Sequence, residues 1–427
     1  MSKFLTPIRW RFILLLIFAS GIYFFSNLHR VAIPGAVFDR LQNHFACPAS
    51  SIAGLGAAFM YIYAVMQPLT GLLLDRFGSA RVLIAGGAVF VSGLFCFANA
   101  NSIAAAYIAQ ILCGCGAGSI YLAIVKENIR VFRSHYNIAL ATIVLIGYAG
   151  GMFANAPMLM IIKRTNLSCT LQLNAVIALI FTVLVILMLL PGRWQSIHKE
   201  RSFSPGEFKL VFKLKHNCKL YTFSAINFAL FYVLQTVIGK KFLQDFCSMS
   251  EISSGWVFTI TGAMAACGGM AVAALSSLFN NRRRIFCRIS GVVCSTVFAL
   301  TLVMIMLNVH NAILYSTMFI VLAGTASLSS ILIPLLRETN GTAMVGKTVS
   351  MLNFSFYTAV ALFGNLAGGI LKLFTPQERA GVLVYGQSTW CTLFALFFAA
   401  SLLVLYFSFQ MQETFGKSIA DIDNRKQ

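Results

Sequence analysis

Long apolar segments separated by short polar turns run along almost the whole chain. Each is close to the roughly 20 residues that a helix needs to cross a bilayer. The expected spans are 12–33, 51–74, 82–100, 103–125, 138–161, 170–190, 220–243, 253–278, 287–307, 312–335, 348–371 and 388–410. The longest polar stretch, 191–219, separates six spans from six. This pattern predicts an all-α membrane protein of twelve transmembrane helices in two six-helix bundles, 1–190 and 220–427, joined by a basic linker at 191–219.

Composition and charge support a membrane protein and exclude other classes. Hydrophobic residues make up 59% of the 427 residues and charged residues 10%, against about a quarter charged in soluble domains. The net charge of +20 would suggest nucleic acid in a soluble protein. Here Lys and Arg concentrate in the termini, the linker and the loops of one side, which predicts that this side is cytoplasmic and that both termini lie there. No nucleic-acid partner is therefore expected.

The eleven cysteines are scattered, mostly within spans, and no Cys-x-x-Cys pair occurs. Free cysteines in apolar segments usually pack as small, polarisable side chains. We expect no metal site, no cofactor and no disulfide framework. The six histidines are equally scattered, so no clustered nucleophile and base indicates an enzyme.

A polar motif stands between the second and third spans. It consists of Gly71, Asp75, Arg76, Gly78 and Arg81 in the spacing Gly-x-x-x-Asp-Arg-x-Gly-x-x-Arg. This spacing resembles the loop signature between helices 2 and 3 of the major facilitator superfamily. A degenerate echo, 276–284, follows the eighth span. Stretches 26–31, 57–68 and 346–354 resemble a bacterial branch of the same superfamily.

The resemblance implies a secondary transporter that works by alternating access, with a substrate site near the membrane midplane between two repeats. It also implies that Asp75 and its motif form a conformational latch, with Arg130 a possible partner of Asp75. The alternative is that the loop only fixes topology. The superfamily usually carries an arginine where this chain has Gln110, which weakens the case for a proton-coupling step there. The fifth span also lacks a Gly-Pro pair of the kind that antiporters of the superfamily carry. Its absence favours import over export.

Arg30 is the main substrate candidate, because a charge within a span is costly unless it serves a function. Resemblance to organic-anion carriers of the superfamily implies an arginine here that binds the substrate anion. The alternative is an arginine that extends to the outer headgroups. Lys126 is either a second anion contact or half of a local ion pair with Glu127. Further substrate-contact candidates are the polar residues Asn27, Tyr63, Gln67 and Asn353, each of which could equally bond across helices.

Acidic residues are scarce, with only 12 in the chain. Asp39 and Glu127 are the candidates for proton coupling, which normally requires a buried titratable group. Lys240 and Lys241 are expected to anchor the outer end of the seventh span. The scarcity of embedded carboxylates favours an anionic substrate over a cationic one.

The sequence thus predicts a monomeric carrier in a bacterial inner membrane that moves a small organic anion, a carboxylate-bearing metabolite, with proton coupling. Two alternatives stay open. One is efflux of drugs, siderophores or other amphiphilic compounds. The other is a non-transporting membrane protein that keeps this fold.

Overall fold

The computed structural model describes residues 7–132, 136–189, 215–326, 328–340, 344–379 and 381–418. The first half contains α1 (Pro7–Ala32), a 3₁₀ turn (Gly35–Val37), α2 (Phe38–Phe45), α3 (Ala49–Phe77), α4 (Ser79–Ala98), α5 (Ile103–Phe132), α6 (Tyr136–Phe153), α7 (Ala156–Arg164) and α8 (Leu167–Leu189). The second half contains α9 (Lys215–Val233), a π-helical turn (Leu234–Ile238), α10 (Gly239–Asp245), α11 (Glu251–Leu278), α12 (Arg283–Met306), α13 (Ala312–Ala326), α14 (Ser329–Asn340), α15 (Val345–Leu373), β1 (Gln377–Arg379), β2 (Val382–Val384) and α16 (Gln387–Phe409).

The all-α membrane prediction is confirmed. Eleven helices of the described chain are long and apolar enough to cross a bilayer, and the count reaches twelve if α6 and α7 form one span. These two helices are bent by 48° relative to each other. The bend falls before Pro157, which occupies the first turn of α7, where the missing N–H of proline is tolerated.

Most of the predicted linker, residues 191–214, lies outside the described residues. Its last residues, from Lys215, already belong to α9. The described residues group by their contacts into two compact units. One lies within Met1–Ala32 and Ala58–Phe203, and the other lies within Ile33–Ala57 and Ser204–Gln427.

Ile33–Ala57 is therefore packed with the second half of the chain, although it connects the first two spans. We call this segment the strap. It contains the 3₁₀ turn, α2 and the first turns of α3. Helix α3 is continuous, so it begins in the second unit and passes into the first at Ala58. The sequence pattern predicts only a loop between the first two spans.

Glycines allow close helix contacts within each unit. In the first unit a methyl group at Gly150 would overlap the carbonyl oxygen of Phe24, so α6 rests directly on the backbone of α1. In the second unit Gly268 faces the backbone of Gly324 in the same manner. Small residues at helix interfaces are the common device of membrane bundles, because they let backbones approach closely.

Candidate functional site

Arg30 lies in the last turn of α1 and is 8% exposed. Its Nη2 donates to Oδ1 of Asn27, one turn earlier on the same helix. The guanidinium carbon lies 5.3 Å from the ring centroid of Tyr63 on α3, within the range of a cation–π contact. The structure therefore brings together three of the predicted substrate residues and orients the guanidinium through uncharged groups.

Two further polar candidates are Gln67 on α3 and Asn353 on α15, and Nε2 of Gln67 lies 3.4 Å from the carbonyl oxygen of Tyr63. Nε2 of Gln67, one turn beyond Tyr63, lies 3.4 Å from the carbonyl oxygen of Gly118, so its amide connects α3 with α5. Asn353 lies in the second unit, on α15, and is half-buried. In the described contacts the Gln67 amide forms a hydrogen bond between two helices. This is the alternative to substrate contact that the sequence leaves open.

Gln110, which replaces the arginine usual in the superfamily, has a buried partner. Its Oε1 lies 2.8 Å from Nε2 of His29. Both side chains are almost fully buried in the first unit, and the imidazole packs against the Phe97 ring at 5.4 Å. The neutral amide and the imidazole form a local bond between α1 and α5 at this position.

The motif between α3 and α4 contacts the end of α5. Nζ of Lys126 lies 2.8 Å from Oδ1 of Asp75. The hydroxyl of Ser79, the first residue of α4, donates to Oε1 of the buried Glu127 at 2.8 Å. Lys126 thus forms an ion pair with Asp75. The backbone of Arg130 continues α5, but its side chain lies outside the described residues.

The remaining motif residues have simpler surroundings. Arg76 and Arg81 are exposed. Gly78 has a φ of +80°, which favours glycine because it has no side chain. A methyl group at Gly71 would meet no described atom within 4 Å beyond its chain neighbours and the backbone of its own helix.

The second-half echo of this motif has its own contacts. Arg283, the first residue of α12, places Nη2 3.0 Å from Oε1 of Glu338 on α14. Its Nη1 donates to the hydroxyl of Ser276 at 3.0 Å. The backbone N–H groups of Arg283 and Arg284 donate to the carboxylate of Glu413 at 2.8 and 3.1 Å. This carboxylate therefore caps the start of α12.

A charge cluster joins the strap to the rest of the second unit. Arg40 donates from Nε and Nη2 to the two carboxylate oxygens of Glu251 at 2.8 and 2.7 Å, a bidentate pair. Nζ of Lys241 lies 2.8 Å from Asp39 and 2.9 Å from Asp245. We call the following six residues the strap cluster: Asp39, Arg40, Lys240, Lys241, Asp245 and Glu251.

Backbone groups complete the strap cluster. Lys240 donates to the carbonyl oxygen of Ala36 and lies 3.6 Å from Glu251. Lys241 donates to the carbonyl oxygen of Leu383, and Asp245 accepts the N–H of Tyr385 at 2.9 Å. The bond with Glu251 raises the pKa of Arg40, and burial raises the pKa of Tyr385 to about 12. Arg40 is charged and the Tyr385 phenol is neutral at physiological pH.

The expectation that Lys240 and Lys241 anchor the surface is wrong, because both are almost fully buried. Asp39 lies on α2, which follows the first span, and pairs with Lys241. The sequence contained one usable signal, the i,i+4 spacing of Lys241 and Asp245, which is typical of an ion pair on a helix. The contacts to the strap cannot be inferred from local spacing.

Comparisons with known proteins agree with this architecture. A crystal structure of the nucleoside transporter NupG superposes with a TM-score of 0.70 at 14% identity, covering 94% of this chain and 98% of that chain. A single-residue variant of that transporter gives a TM-score of 0.71 at 15% identity, covering 93% and 99%. At such identities the likeness shows the fold alone. No match was found among curated protein sequences.

The sequence itself carries the family assignment. The sequence model of the Major Facilitator Superfamily matches residues 12–365, which is most of the chain. The membrane spans, the motif between α3 and α4 and the fold are consistent with this match. The chain belongs to the Major Facilitator Superfamily.

Proposed function

We propose that this superfamily member imports a small organic anion, a carboxylate-bearing metabolite, by alternating access. The observation that carries the proposal is Arg30, a buried guanidinium inside a membrane span, oriented by Asn27 and Tyr63. A charge at this depth is a functional-site hypothesis by default. The planar guanidinium offers two parallel N–H donors that match a carboxylate.

A nucleoside is the second candidate substrate. It is favoured by the fold of the nucleoside transporter NupG and by stacked rings in the second unit. There Phe228 stacks on Tyr232 and on Phe356 with centroid distances of 4.9 and 4.8 Å. Aromatic faces of this kind can bind a base by stacking. Efflux of amphiphilic compounds and a non-transporting role remain lesser alternatives.

Thermal stabilisation of the purified protein by a compound panel separates these candidates. The panel contains organic acids, sugar phosphates, nucleosides, amino acids and lipophilic cations. A ligand at a hundred times its Kd stabilises the folded state by about 2.7 kcal/mol, which is readily detected. We expect stabilisation by carboxylates. Stabilisation only by nucleosides would promote the second candidate, and stabilisation only by lipophilic cations would promote efflux.

Variants of Arg30 test the role of the guanidinium. Arg30→Lys keeps the charge and loses the fork, and Arg30→Ala loses both. Because a charged hydrogen bond contributes about 1.5–3 kcal/mol, we expect affinity to fall about tenfold in the first and further in the second. Arg164→Lys and Arg164→Ala, at the exposed end of α7, are matched controls. Wild-type affinity in Arg30→Lys would show that Arg30 only anchors α1.

We propose proton coupling through Glu127 or Asp39. Glu127 is buried and accepts a hydrogen bond from the Ser79 hydroxyl, a bond that the protonated carboxyl group could also form. Asp39 and Asp245 both pair with the ammonium of Lys241. An inward acid gradient should accelerate uptake into proteoliposomes, and Glu127→Gln or Asp39→Asn should remove that acceleration. Wild-type uptake that ignores the gradient would contradict coupling and indicate facilitated diffusion or exchange.

We propose an orientation with the motif between α3 and α4 on the cytoplasmic side, because basic residues concentrate in the loops of that side. In a bacterial inner membrane the strap then faces outward. Cysteine labelling in oriented vesicles tests this. Reagent added from outside should modify a cysteine placed at Arg379 and should spare one placed at Arg81; the reverse result would invert the topology.

A further inference from the structure

The beginning of α12 carries more positive charge than its surroundings neutralise. Arg282, Arg283, Arg284 and Arg288 lie in the turn before α12 and in its first two turns. Among them Arg283 forms an ion pair, with Glu338. For the other three, no carboxylate of the described chain lies at ion-pair distance. Three positive side chains are therefore held together at one end of a membrane span.

The acidic side chains at this end of α12 are already bonded to other groups. The two oxygens of Glu338 accept from the Arg283 guanidinium and from the hydroxyl of Thr414. Those of Glu413 accept the backbone N–H groups of Arg283 and Arg284. The start of α12 is thus capped from within the chain, so an anion that binds here would contact the arginine side chains and not the helix N-terminus.

Arg284 and Arg288 converge on the last residue of α16, Phe409. They are four residues apart and therefore share one face of α12. Nη2 of Arg284 donates to the carbonyl oxygen of Phe409 at 2.8 Å, and the guanidinium carbon of Arg288 lies 5.0 Å from the centroid of the Phe409 ring. One residue thus orients both guanidinium groups, although like charges at this spacing repel each other.

Most hydrogen-bond donors of this arginine pair are unused within the described chain. Each guanidinium has five N–H donors, and the Nε of both side chains is buried without a described partner. The terminal amino groups of Arg288 also lack a described acceptor, and this side chain is only half-buried, so they can be reached from outside. A phosphate supplies the negative charge and the several acceptor oxygens that such a pair binds well.

The surface beside the arginine pair is apolar and belongs to two membrane spans. Ile285 and Ile289 on α12 and Tyr406 on α16 are exposed. The two helices meet at small residues, because a methyl group at Gly291 would lie 2.7 Å from the hydroxyl oxygen of Ser408. A ligand that covers both surfaces needs an anionic group at the arginines and hydrocarbon along the helices.

We propose that Arg284 and Arg288 bind the phosphate of an anionic phospholipid whose acyl chains lie along the exposed apolar faces of α12 and α16. A soluble phosphate would leave these faces uncovered, which is the reason to choose a lipid. In the orientation proposed above, this end of α12 faces the cytoplasmic leaflet, where anionic lipids attract basic segments. The site involves none of the substrate candidates and does not depend on what the protein transports.

Lipid binding by the full-length protein in detergent, measured by native mass spectrometry, tests the site. The probes are phosphatidylglycerol and zwitterionic phosphatidylcholine with identical acyl chains. Because one basic residue near an anionic lipid surface contributes about fivefold in affinity, we expect phosphatidylglycerol to bind the wild type about twentyfold more tightly than phosphatidylcholine. Arg288→Gln should reduce this preference about fivefold, and Arg284→Gln with Arg288→Gln should abolish it. Arg288→Lys, which keeps the charge without the fork, should lie between Arg288→Gln and the wild type.

Matched variants separate the site from charge in general and from loss of folding. Arg282→Gln removes the same charge from the exposed turn before α12 and should reduce the preference far less than Arg288→Gln. Phe409→Leu removes the ring and keeps the carbonyl oxygen, so it should weaken phosphatidylglycerol binding several-fold. Phe415→Leu, at a similarly exposed ring, should not. Without lipid, Arg288→Gln should melt close to the wild-type temperature, because Arg288 donates no hydrogen bond within the described chain.

Three results would overturn the lipid site. An equal loss of preference in Arg282→Gln and Arg288→Gln would reduce it to general charge attraction. Displacement of phosphatidylglycerol by inorganic phosphate, but not by chloride at the same ionic strength, would make it a site for a soluble anion. A preference that appears only in Asp421→Asn with Asp423→Asn, two positions outside the described residues, would assign the arginines to carboxylates of the chain itself.

Discussion

The two turns that follow the second spans of each half use opposite charges for the same contact. In the first half Asp75, in the last turn of α3, is the acid, and Lys126 on α5 is the base. In the second half Arg283, the first residue of α12, is the base, and Glu338 on α14 is the acid. Each pair joins a residue beside the turn to the helix two spans later, so both halves have such a contact, with opposite polarity and from opposite sides of the turn.

The pairs also differ in burial. The side chains of Lys126 and Asp75 are 36% and 21% exposed, whereas those of Arg283 and Glu338 are each 11% exposed. Glu413 and Ser276 add further bonds to the second turn. A solvated pair can form and break with little change in free energy, but a buried pair cannot lose one partner cheaply. We propose that the first turn is the latch and that the second is a permanent joint.

The largest effect is expected from Glu338→Gln. It leaves the buried Arg283 guanidinium without its carboxylate, which should lower the free energy of unfolding by about 3 kcal/mol. Thermal unfolding in detergent measures the change. Glu378→Gln, in the exposed strand β1, is the control and should unfold like wild type. An unchanged melting temperature in Glu338→Gln would remove the distinction between the two turns.

Glu413→Gln should have an intermediate effect. The two N–H groups at the start of α12 donate to different oxygens of Glu413, so one of them then faces the amide NH2, which cannot accept. The helix N-terminus also loses a charge that stabilises it by about 0.3–1 kcal/mol. The same unfolding assay should therefore show a smaller loss than in Glu338→Gln. If Glu413→Gln lowered the stability more than Glu338→Gln, the main contact that holds the second turn would be with Glu413 after α16 and not with Glu338 on α14.

Asp75→Asn should change stability by less than about 1 kcal/mol, because the pair with Lys126 is partly exposed. Transport should nevertheless slow several-fold, since the latch loses its charge while its volume is kept. Uptake per reconstituted molecule is the measurement, with Glu378→Gln again the control. Normal uptake in Asp75→Asn would reduce the motif to a determinant of topology.

The smallest effect is expected from exchanging the charges, Asp75→Lys with Lys126→Asp. The double variant gives the first turn the polarity of the second and restores an attractive pair. Its stability should lie within about 0.5 kcal/mol of the wild type, closer than either single variant. Unfolding of the three proteins gives the coupling energy between the two positions. Additive losses would show that the two side chains do not interact.

The sequence predicted the spans well, because apolar length is a local property that the bilayer enforces. It could not predict the strap, because α2 is a short helix held by contacts with α10 and α11 that lie about 200 residues away in the chain. Lys126 shows a related limit. Lys126 and Arg130 are four residues apart on one helix face, so spacing alone does not decide which of them reaches Asp75.

Burial was equally hard to infer. Lys240 and Lys241 lie at the outer end of a predicted apolar span, where lysines commonly extend to the headgroups. Here they are enclosed because the strap and strand β2 supply carbonyl oxygens from Ala36 and Leu383. Arg30, in contrast, was identified as a candidate because its position inside a span is visible without any tertiary information.

The π-helical turn at Leu234–Ile238 has a consequence for the length of the chain. A π turn holds about one residue more than an α turn. Side chains after the π turn therefore point in the directions they would have on a regular α-helix with one residue fewer. Deleting one residue within Leu234–Ile238 should leave Lys240 and Lys241 facing the same way relative to α9. Deleting one residue inside α9 instead would rotate them by about 100°. The extra residue widens the helix at this one turn. Every later side chain points in the same direction as on a regular helix that lacks the extra residue.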